Sequence, residues 1–318
     1  MKRGLLLAFA ALLCGVASTG EGAPLYSQDF SVDPTASWTT NDSGLSDITV
    51  DYFYDYSAIG VPSAPGSSDS RGLKMTANNS GGVFSGFSVS PTGLSFTGNY
   101  RVEFDLWQNY VGPLGPGGSG TTQLSTFGLG TAGNVAFWPG AATKESVAFG
   151  VTLDGGSGSD WRAYSSAAPT SYPSGNAVYA APGGAINNSD AYYAGFGGAA
   201  APGDQLTAFS GQTGVTDAGE ISFGWRHVTL DVLNNSATWS VDGLLIATID
   251  LSTVTLGGSN ILFGHSDTNN GSSSDPNDVL LNVTLIDNIL VTQIPEPAAG
   301  MCLAVAAAAL VSGRRRGA

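Results

Sequence analysis

The segment most informative about the fold is WRHVTLDVLNNSATWSVDG, residues 225–243. Val228, Leu230 and Val232 alternate with polar residues, which is the period-two pattern of a strand with one buried face. An Asn-Asn pair and then Asp242-Gly243 interrupt the pattern, and both pairs accept the positive φ that two-residue hairpin turns require. The segment therefore predicts strands that fold back on one another as an antiparallel meander.

Working outward, short segments rich in β-branched and aromatic residues recur along the chain without a helical period. They span 25–30, 48–54, 72–77, 83–89, 100–107, 244–249, 261–264 and 280–291. Such spacing is typical of an all-β, antiparallel two-sheet jelly-roll sandwich. We expect long Gly/Pro/Ser-rich loops at 110–122 and 165–202, and a core that includes Val228, Leu230, Val232, Ile246, Ile249, Trp225 and Trp239.

Charge and cysteine content exclude several classes of function. Between Ala23 and Gln293 the chain carries 23 acidic and 6 basic residues, a net charge of −17. This field repels nucleic acid and anionic lipid, so we expect no nucleic-acid partner. The two cysteines, Cys14 and Cys302, lie near the chain ends. The central region therefore has no disulfide, thiol chemistry or cysteine-based zinc site.

Both ends of the chain have the composition of targeting segments. Lys2 and Arg3 precede the apolar run Leu5–Leu13, and small residues follow. The apolar run has the length of a signal-peptide core and is too short to span a bilayer. We therefore predict a signal peptide over 1–22, a β-sandwich domain over 23–293 and a separate tail over 294–318. Apolar helical segments are expected at the two ends.

The tail resembles the PEP-CTERM sorting signal of Gram-negative bacteria. Pro295, Glu296 and Pro297 precede a mostly apolar stretch over 298–312, and the basic residues Arg314, Arg315 and Arg316 follow. Proline keeps the tripeptide extended, and the arginines hold the end of the apolar stretch on the cytoplasmic side. The resemblance implies export, transient anchoring in the inner membrane and removal of the tail by an exosortase-type enzyme. The expected destination is the extracellular space or the outer cell surface.

The central region resembles the late strands of laminin-G and concanavalin-like sandwiches. The resemblance rests on the Trp-x-His-Val strand at 225–228, the strand ending in Val241-Asp242-Gly243, Phe263-Gly264, and the closing segment 285–289. It implies the same jelly-roll sandwich. Because that fold supports lectins, glycosidases and adhesive modules, it does not choose the function.

Glu103 and Asp105 are the candidate ligand-binding or catalytic acids, with Trp107 beside them. Alternation places all three on one face of a strand, opposite Val102, Phe104 and Leu106. Concanavalin-like glycoside hydrolases carry a third acid further along such a strand, whereas this chain has Trp107 and Gln108. A glycosidase needs a pair of acids in different roles. We therefore expect no enzyme activity, and either a solvent-facing strand or a noncatalytic sugar-binding face.

Calcium is the one cofactor that the sequence favours. Asp267, Asn269, Asp275 and Asp278 cluster in an oxygen-rich segment, and oxygen ligands are those that Ca²⁺ prefers. The spacing does not match an EF-hand loop, and polar turn chemistry explains the same residues. His227 lies in a strand and is interpreted as a structural residue.

The sequence thus predicts an exported, noncatalytic structural or adhesive module. Extracellular polysaccharide is the candidate ligand. The alternatives are a glycoside hydrolase that uses Glu103 and Asp105, and a purely structural matrix component without a small ligand. The expected partners are an exosortase-type processing enzyme and the inner membrane, the latter only transiently and through the tail.

Overall fold

Two antiparallel sheets stack face to face between Pro24 and Gln293 in the computed structural model. The structure describes residues 22–42, 44, 47–79, 85–112, 123–139, 145–154, 156–267 and 277–295. The predicted signal peptide before Gly22 and the tail beyond Pro295 lie outside these residues. The strands are β1 Pro24–Gln28, β2 Trp38–Asn41, β3 Ile48–Asp55, β4 Arg71–Ala77, β5 Ser85–Pro91, β6 Tyr100–Asn109, β7 Gln123–Thr131, β8 Val147–Thr152, β9 Trp161–Tyr164, β10 Arg226–Leu233, β11 Ser236–Val241, β12 Leu244–Asp250, β13 Asn260–Asp267 and β14 Val283–Gln293.

The eight-stranded sheet has the order β12-β11-β10-β6-β14-β4-β3, with β1 also paired to β14. The six-stranded sheet has the order β2-β5-β13-β7-β8-β9. All of these pairings are antiparallel. Two short helices, α1 Gly203–Ala208 and α2 Asp278–Leu281, lie in the connections. The predicted all-β, antiparallel two-sheet sandwich is confirmed.

The predicted meander forms β10, β11 and β12 in consecutive order. Asp242 and Gly243 have φ values of 47° and 81°, and Asn234 and Asn235 have 51° and 62°. Both turns therefore use the left-handed conformation that their residues accept at low cost. These local choices fix the register of the three strands.

The core lies between the two sheets and is rich in aromatic rings. Phe104 on β6 meets Phe127 and Phe263 of the opposite sheet edge to face, at centroid distances of 5.1 and 5.0 Å. Trp239 on β11 is fully buried and contacts Phe127 and Trp161, each at 5.4 Å. The predicted core residues Val228, Leu230, Val232, Ile246 and Ile249 are all buried.

Four strands were missed, because β2 and β9 have only 4 residues each, and the residues between the large apolar ones of β7 and β8 are mostly small. The burial patterns of β7 and β8 show every residue buried. A strand that is covered on both faces has no polar side to reveal it. Two expectations are corrected as well. Residues 280–281 belong to α2 and not to the last strand, and Trp225 is half-buried outside the inter-sheet core.

The long segment between β9 and β10 closes one open side of the sandwich. Tyr179 forms a bridge with Ala247 on the edge strand β12. Further along, the ring of Tyr193 stacks on Trp161 at 4.9 Å. The segment is thus packed against the sandwich as part of its wall, and the predicted long loop does contribute to the core. Among the described residues, no helix is long and apolar enough to cross a membrane.

Candidate functional site

Glu103, Asp105 and Trp107 lie on the face of β6 that points away from the inter-sheet core, as predicted. Antiparallel register places His227 of β10 directly opposite Asp105. On the other side of β6, Asp287 of β14 is opposite the same residue. Three strands therefore bring two carboxyl groups and an imidazole into one row across the outer face of the eight-stranded sheet.

His227 joins the two acids predicted from the sequence. Its Nε2 lies 3.3 Å from Glu103 Oε1, and its Nδ1 lies 3.6 Å from Asp105 Oδ1. The two adjacent carboxylates, Asp105 first and then Glu103, raise the pKa of His227, although partial burial opposes them. The imidazole is half exposed and so remains within reach of a ligand. The histidine interpreted as a structural residue thus lies half exposed beside the two candidate acids.

A bulge in β14 contributes two further residues that the sequence analysis did not select. The register of β14 shifts between Asp287 and Leu290, and Asn288 takes a φ of 52°. This conformation turns the Asn288 amide toward β6, where its Nδ2 donates to Asp105 Oδ2 at 2.8 Å. The signal in the sequence is weak, since Asp-Asn between apolar residues also occurs in ordinary strands.

Asp287, at the β14 end of this row, is fully buried. Its Oδ2 accepts hydrogen bonds from Tyr56 at 3.1 Å and from Ser67 at 2.9 Å, and its Oδ1 accepts from the backbone of Asn288 at 2.7 Å. Burial raises the pKa of Asp287 to about 6, and the nearby Asp105 carboxylate adds to the effect. Asp287 therefore positions its neighbours and holds a proton more readily than an exposed aspartate.

The aromatic surface of the site comes from Trp225 and not from Trp107. Trp107 is only 2% exposed, and the ring of Trp225 lies 5.7 Å from it. Trp225 is half-buried and is held by a hydrogen bond from its Nε1 to the carbonyl of Pro62 at 2.7 Å. Trp107 thus supports the ring that a ligand would meet. We call the resulting depression the Trp225 site; it is lined by Asp105, Trp225, His227, Asp242 and Asn288, with Pro65 and Gly66 at the rim.

A second shallow depression extends from Glu103 to residues 22–24 and 293–295. Arg101 and Asp231 cross it as a two-point ion pair, with N–O distances of 2.7 and 2.8 Å. Pro295, the first residue of the predicted sorting motif, lines its far end. Glu296, Pro297, Arg314, Arg315 and Arg316 lie outside the described residues.

The candidate calcium ligands are only partly within the described part of the chain. Asp267 ends β13 and is fully buried, and its Oδ2 accepts from Asn78 Nδ2 at 2.6 Å. It lies in the protein interior and not in the solvent-exposed loop that we expected. Asn269, Asp275 and the side chain of Asp278 lie outside the described residues. Within the described ranges, no three acidic, histidine or cysteine side chains converge as a metal site would require.

Comparison with known proteins extends to the fold alone. No protein-family model matches the sequence, and no curated protein is significantly similar to it. Three solved structures illustrate the likeness in shape. The potassium-bound carbohydrate recognition domain of Emp46p is 11% identical, with a TM-score of 0.40, over 82% of this chain and 91% of that one. A Bacillus subtilis protein of unknown function with a galectin-like fold is 11% identical, with a TM-score of 0.43, over 86% and 97%.

The third, the β-glucanase of Bacillus licheniformis, is 12% identical, with a TM-score of 0.38, over 86% of this chain and 99% of that one. A sugar-recognition domain and an enzyme thus stand side by side among these structures. At such identities and TM-scores, none of them brings a ligand or a reaction to this chain.

Proposed function

We propose that this chain is an exported, noncatalytic glycan-binding module of the bacterial cell surface or extracellular matrix. The observation that carries the proposal is the Trp225 site, in which an indole ring stands beside the fixed polar groups of Asp105, His227 and Asn288. An aromatic face gives a sugar ring apolar contact. Convergent hydrogen-bonding groups then set its orientation, as in other small-ligand sites.

The bonding of the acids favours binding over hydrolysis. Asp105 interacts with both His227 and Asn288, and Glu103 lies against His227 and Arg101. A hydrolase needs one carboxyl group to protonate the leaving group and a second to attack or to activate water. The acids of the Trp225 site are instead tied into one network, which suits recognition of hydroxyl groups.

One observation favours the alternative, a glycoside hydrolase. Asp287 lies opposite Asp105, and burial gives it a pKa of about 6, as a proton donor would need. Release of reducing sugar from polysaccharides by the purified protein, lost in Asp287→Asn, would establish this alternative. We expect no release, because Asp287 is fully buried and bonded to Tyr56 and Ser67.

A glycan array probed with the purified protein tests the main proposal. We expect binding that Asp105→Asn weakens by about tenfold or more, since a hydrogen bond to a charged group contributes about 1.5–3 kcal/mol. Trp225→Ala should weaken the same interactions. Asp204→Asn, at an exposed position in α1, is the matched control and should bind as the parent does. Absence of binding to any arrayed glycan would favour a purely structural role.

Export and processing are part of the same proposal. Gln293 donates to the carbonyl of Ala23 at 3.2 Å, so both predicted cleavage points adjoin one end of the sandwich. We propose that the mature protein begins between Ser18 and Ala23 and ends near Pro295 after cleavage by an exosortase-type enzyme. Intact mass of the secreted protein measures both ends. A secreted product that retains Arg314, Arg315 and Arg316 would contradict the C-terminal half.

A further inference from the structure

The outward face of the six-stranded sheet carries a group of small and hydroxylated residues, which we call the hydroxyl floor. It consists of Gly86, Ser88 and Ser90 on β5, Gly264 and Ser266 on β13, and Thr126 on β7. Register joins them into one surface, because Gly264 is opposite both Ser88 and Thr126, and Ser266 is opposite Gly86. The inward residues of the same strands, such as Phe87 and Phe263, belong to the core.

The glycines of the floor leave no room for a side chain. A Cβ on Gly264 would lie 2.6 Å from both Thr126 Oγ1 and the carbonyl oxygen of Phe87. A Cβ on Gly86 would lie 2.9 Å from the ring of Trp138. Glycine in a strand interior often marks a place where another group approaches the backbone closely, and here an indole ring does so.

Three hydroxyl groups of the floor are buried without a hydrogen-bond partner. They are Ser90 Oγ, Thr126 Oγ1 and Ser266 Oγ, and none of these residues is more than 1% exposed. Buried polar groups in native proteins are nearly always paired, because an unpaired one has lost its hydration without replacement. Three such groups lie together on this surface, where a polar ligand would supply the partners that the described residues do not.

Residues 132–139, which we call the aromatic strap, cover the floor. The backbone N–H of Phe137 donates to Ser88 Oγ at 2.9 Å, and the Phe137 ring meets Tyr164 at 5.9 Å. A small gap lies beside the base of the strap, between Val135, Phe137 and Ser146, and the Ser146 hydroxyl there also has no partner. The aromatic rings of the strap cannot accept or donate the hydrogen bonds that the unpaired hydroxyl groups lack, whereas a polar ligand could.

We propose that the hydroxyl floor is a second glycan site, which a sugar enters by displacing the Trp138 end of the strap. Displacement of the Trp138 ring from Gly86 would open the surface there to a pyranose ring, and the hydroxyl groups of the sugar would supply the partners that Thr126 and Ser266 lack. The ligand is a neutral glycan, because no floor residue is charged although the domain is strongly acidic. This inference extends the proposed glycan-binding function to a surface independent of the Trp225 site.

The test combines Thr126→Val with Ser266→Ala, which remove two unpaired hydroxyl groups at nearly constant volume. In the free protein the melting temperature should stay unchanged or rise, because no hydrogen bond is lost. On a printed array of neutral and uronic-acid-containing glycans, binding to neutral glycans should weaken by about tenfold or more. Trp138→Ala should strengthen it, and Thr248→Val on β12 serves as the matched control.

The outcomes separate this inference from the proposed function. Loss of neutral-glycan binding in Asp105→Asn, with unchanged binding in the floor variant, leaves the Trp225 site standing and overturns the second site. Glycan binding by the Trp138→Ala variant but not by the parent supports the second site and contradicts binding at the Trp225 site. A lower melting temperature of the floor variant with unaltered binding would mean that both hydroxyl groups have partners within the protein, and would refute the inference. No binding by parent or by Trp138→Ala ends both proposals.

Discussion

Glu220 offers a sharp test of the electrostatics of this acidic domain. It lies in the segment before β10 and is only 8% exposed. Its Oε2 accepts from the backbone of Asp217 at 2.9 Å, and its Oε1 accepts from Asn188 at 3.4 Å. Burial raises the pKa of Glu220 to about 7 from an ordinary 4.5, and the charges of Asp217, Asp154 and Asp160 add to the effect. The charged form is therefore the unfavourable one in the folded protein.

The magnitude and the sign follow from the raised pKa. Between pH 4.5 and 7 the folded protein holds a proton on Glu220 that the unfolded chain releases. The contribution of Glu220 to the free energy of unfolding is therefore fully present below pH 4.5 and is lost as the pH rises through 7. A difference of about 2.5 pKa units corresponds to about 3 kcal/mol lost at pH 8. Glu220→Gln, which mimics the protonated form, should recover most of it.

Urea unfolding of parent and variant, followed by tryptophan fluorescence, measures this effect at pH 4.5 and pH 8. We expect near-equal stability at pH 4.5 and a variant more stable by about 2–3 kcal/mol at pH 8. Asp160, whose pKa is raised to about 6, interacts with Glu220, and its ionisation is part of the difference measured at pH 8. Asp287 also has a pKa raised to about 6, but it has no such interaction with Glu220 and so cancels in the comparison. Glu145→Gln, at an exposed position, controls for the charge removed. A Glu220→Gln variant that is less stable than the parent at pH 8 would refute the reasoning.

Three further predictions concern the interior and the acidic loop. Burial lowers the pKa of His265 to about 3, so its ring should stay neutral in the folded protein at pH 5. The proton should be on Nε2, because this nitrogen faces Gln123 Oε1, which can only accept a hydrogen bond. The NMR signals of the imidazole ring report both the charge and the tautomer. The contribution of His265 to stability falls as the pH drops below 6.5, which is opposite in sign to that of Glu220. An imidazolium ring at residue 265 in the folded protein at pH 5 would contradict the prediction. Trp239→Ala should cost about 3–5 kcal/mol in urea unfolding, because the ring is fully buried among Phe127, Phe149 and Trp161; a loss under 1 kcal/mol would show that the core refills the space. Calcium should raise the melting temperature in a concentration-dependent way if it binds the folded state, and Asp275→Ala with Asp278→Ala should remove the response; no response in the parent ends the calcium hypothesis.

Local patterns in the sequence were sufficient for the sandwich and for its late strands. The meander over β10, β11 and β12 was readable because each strand has one buried face and each turn has residues that accept positive φ. The same alternation placed Glu103, Asp105 and Trp107 on one side of β6. These features depend on residues two to four positions apart, so they need no knowledge of the rest of the fold.

Features that join distant segments were decided by the tertiary structure. The pairing of β6 with β10 and β14 brings His227 and Asn288 to Asp105, across 122 and 183 residues of sequence. The tertiary structure also decided that Trp225 and not Trp107 offers the accessible ring, because the loops packed around each tryptophan determine which one is covered. The hydroxyl floor could not be read from sequence either, because its glycines and serines resemble turn residues until strand register aligns them. Sequence alone thus determines the strands that have one polar face and the turns between them, whereas strands covered on both faces, and the meeting of side chains, depend on the pairing of remote strands.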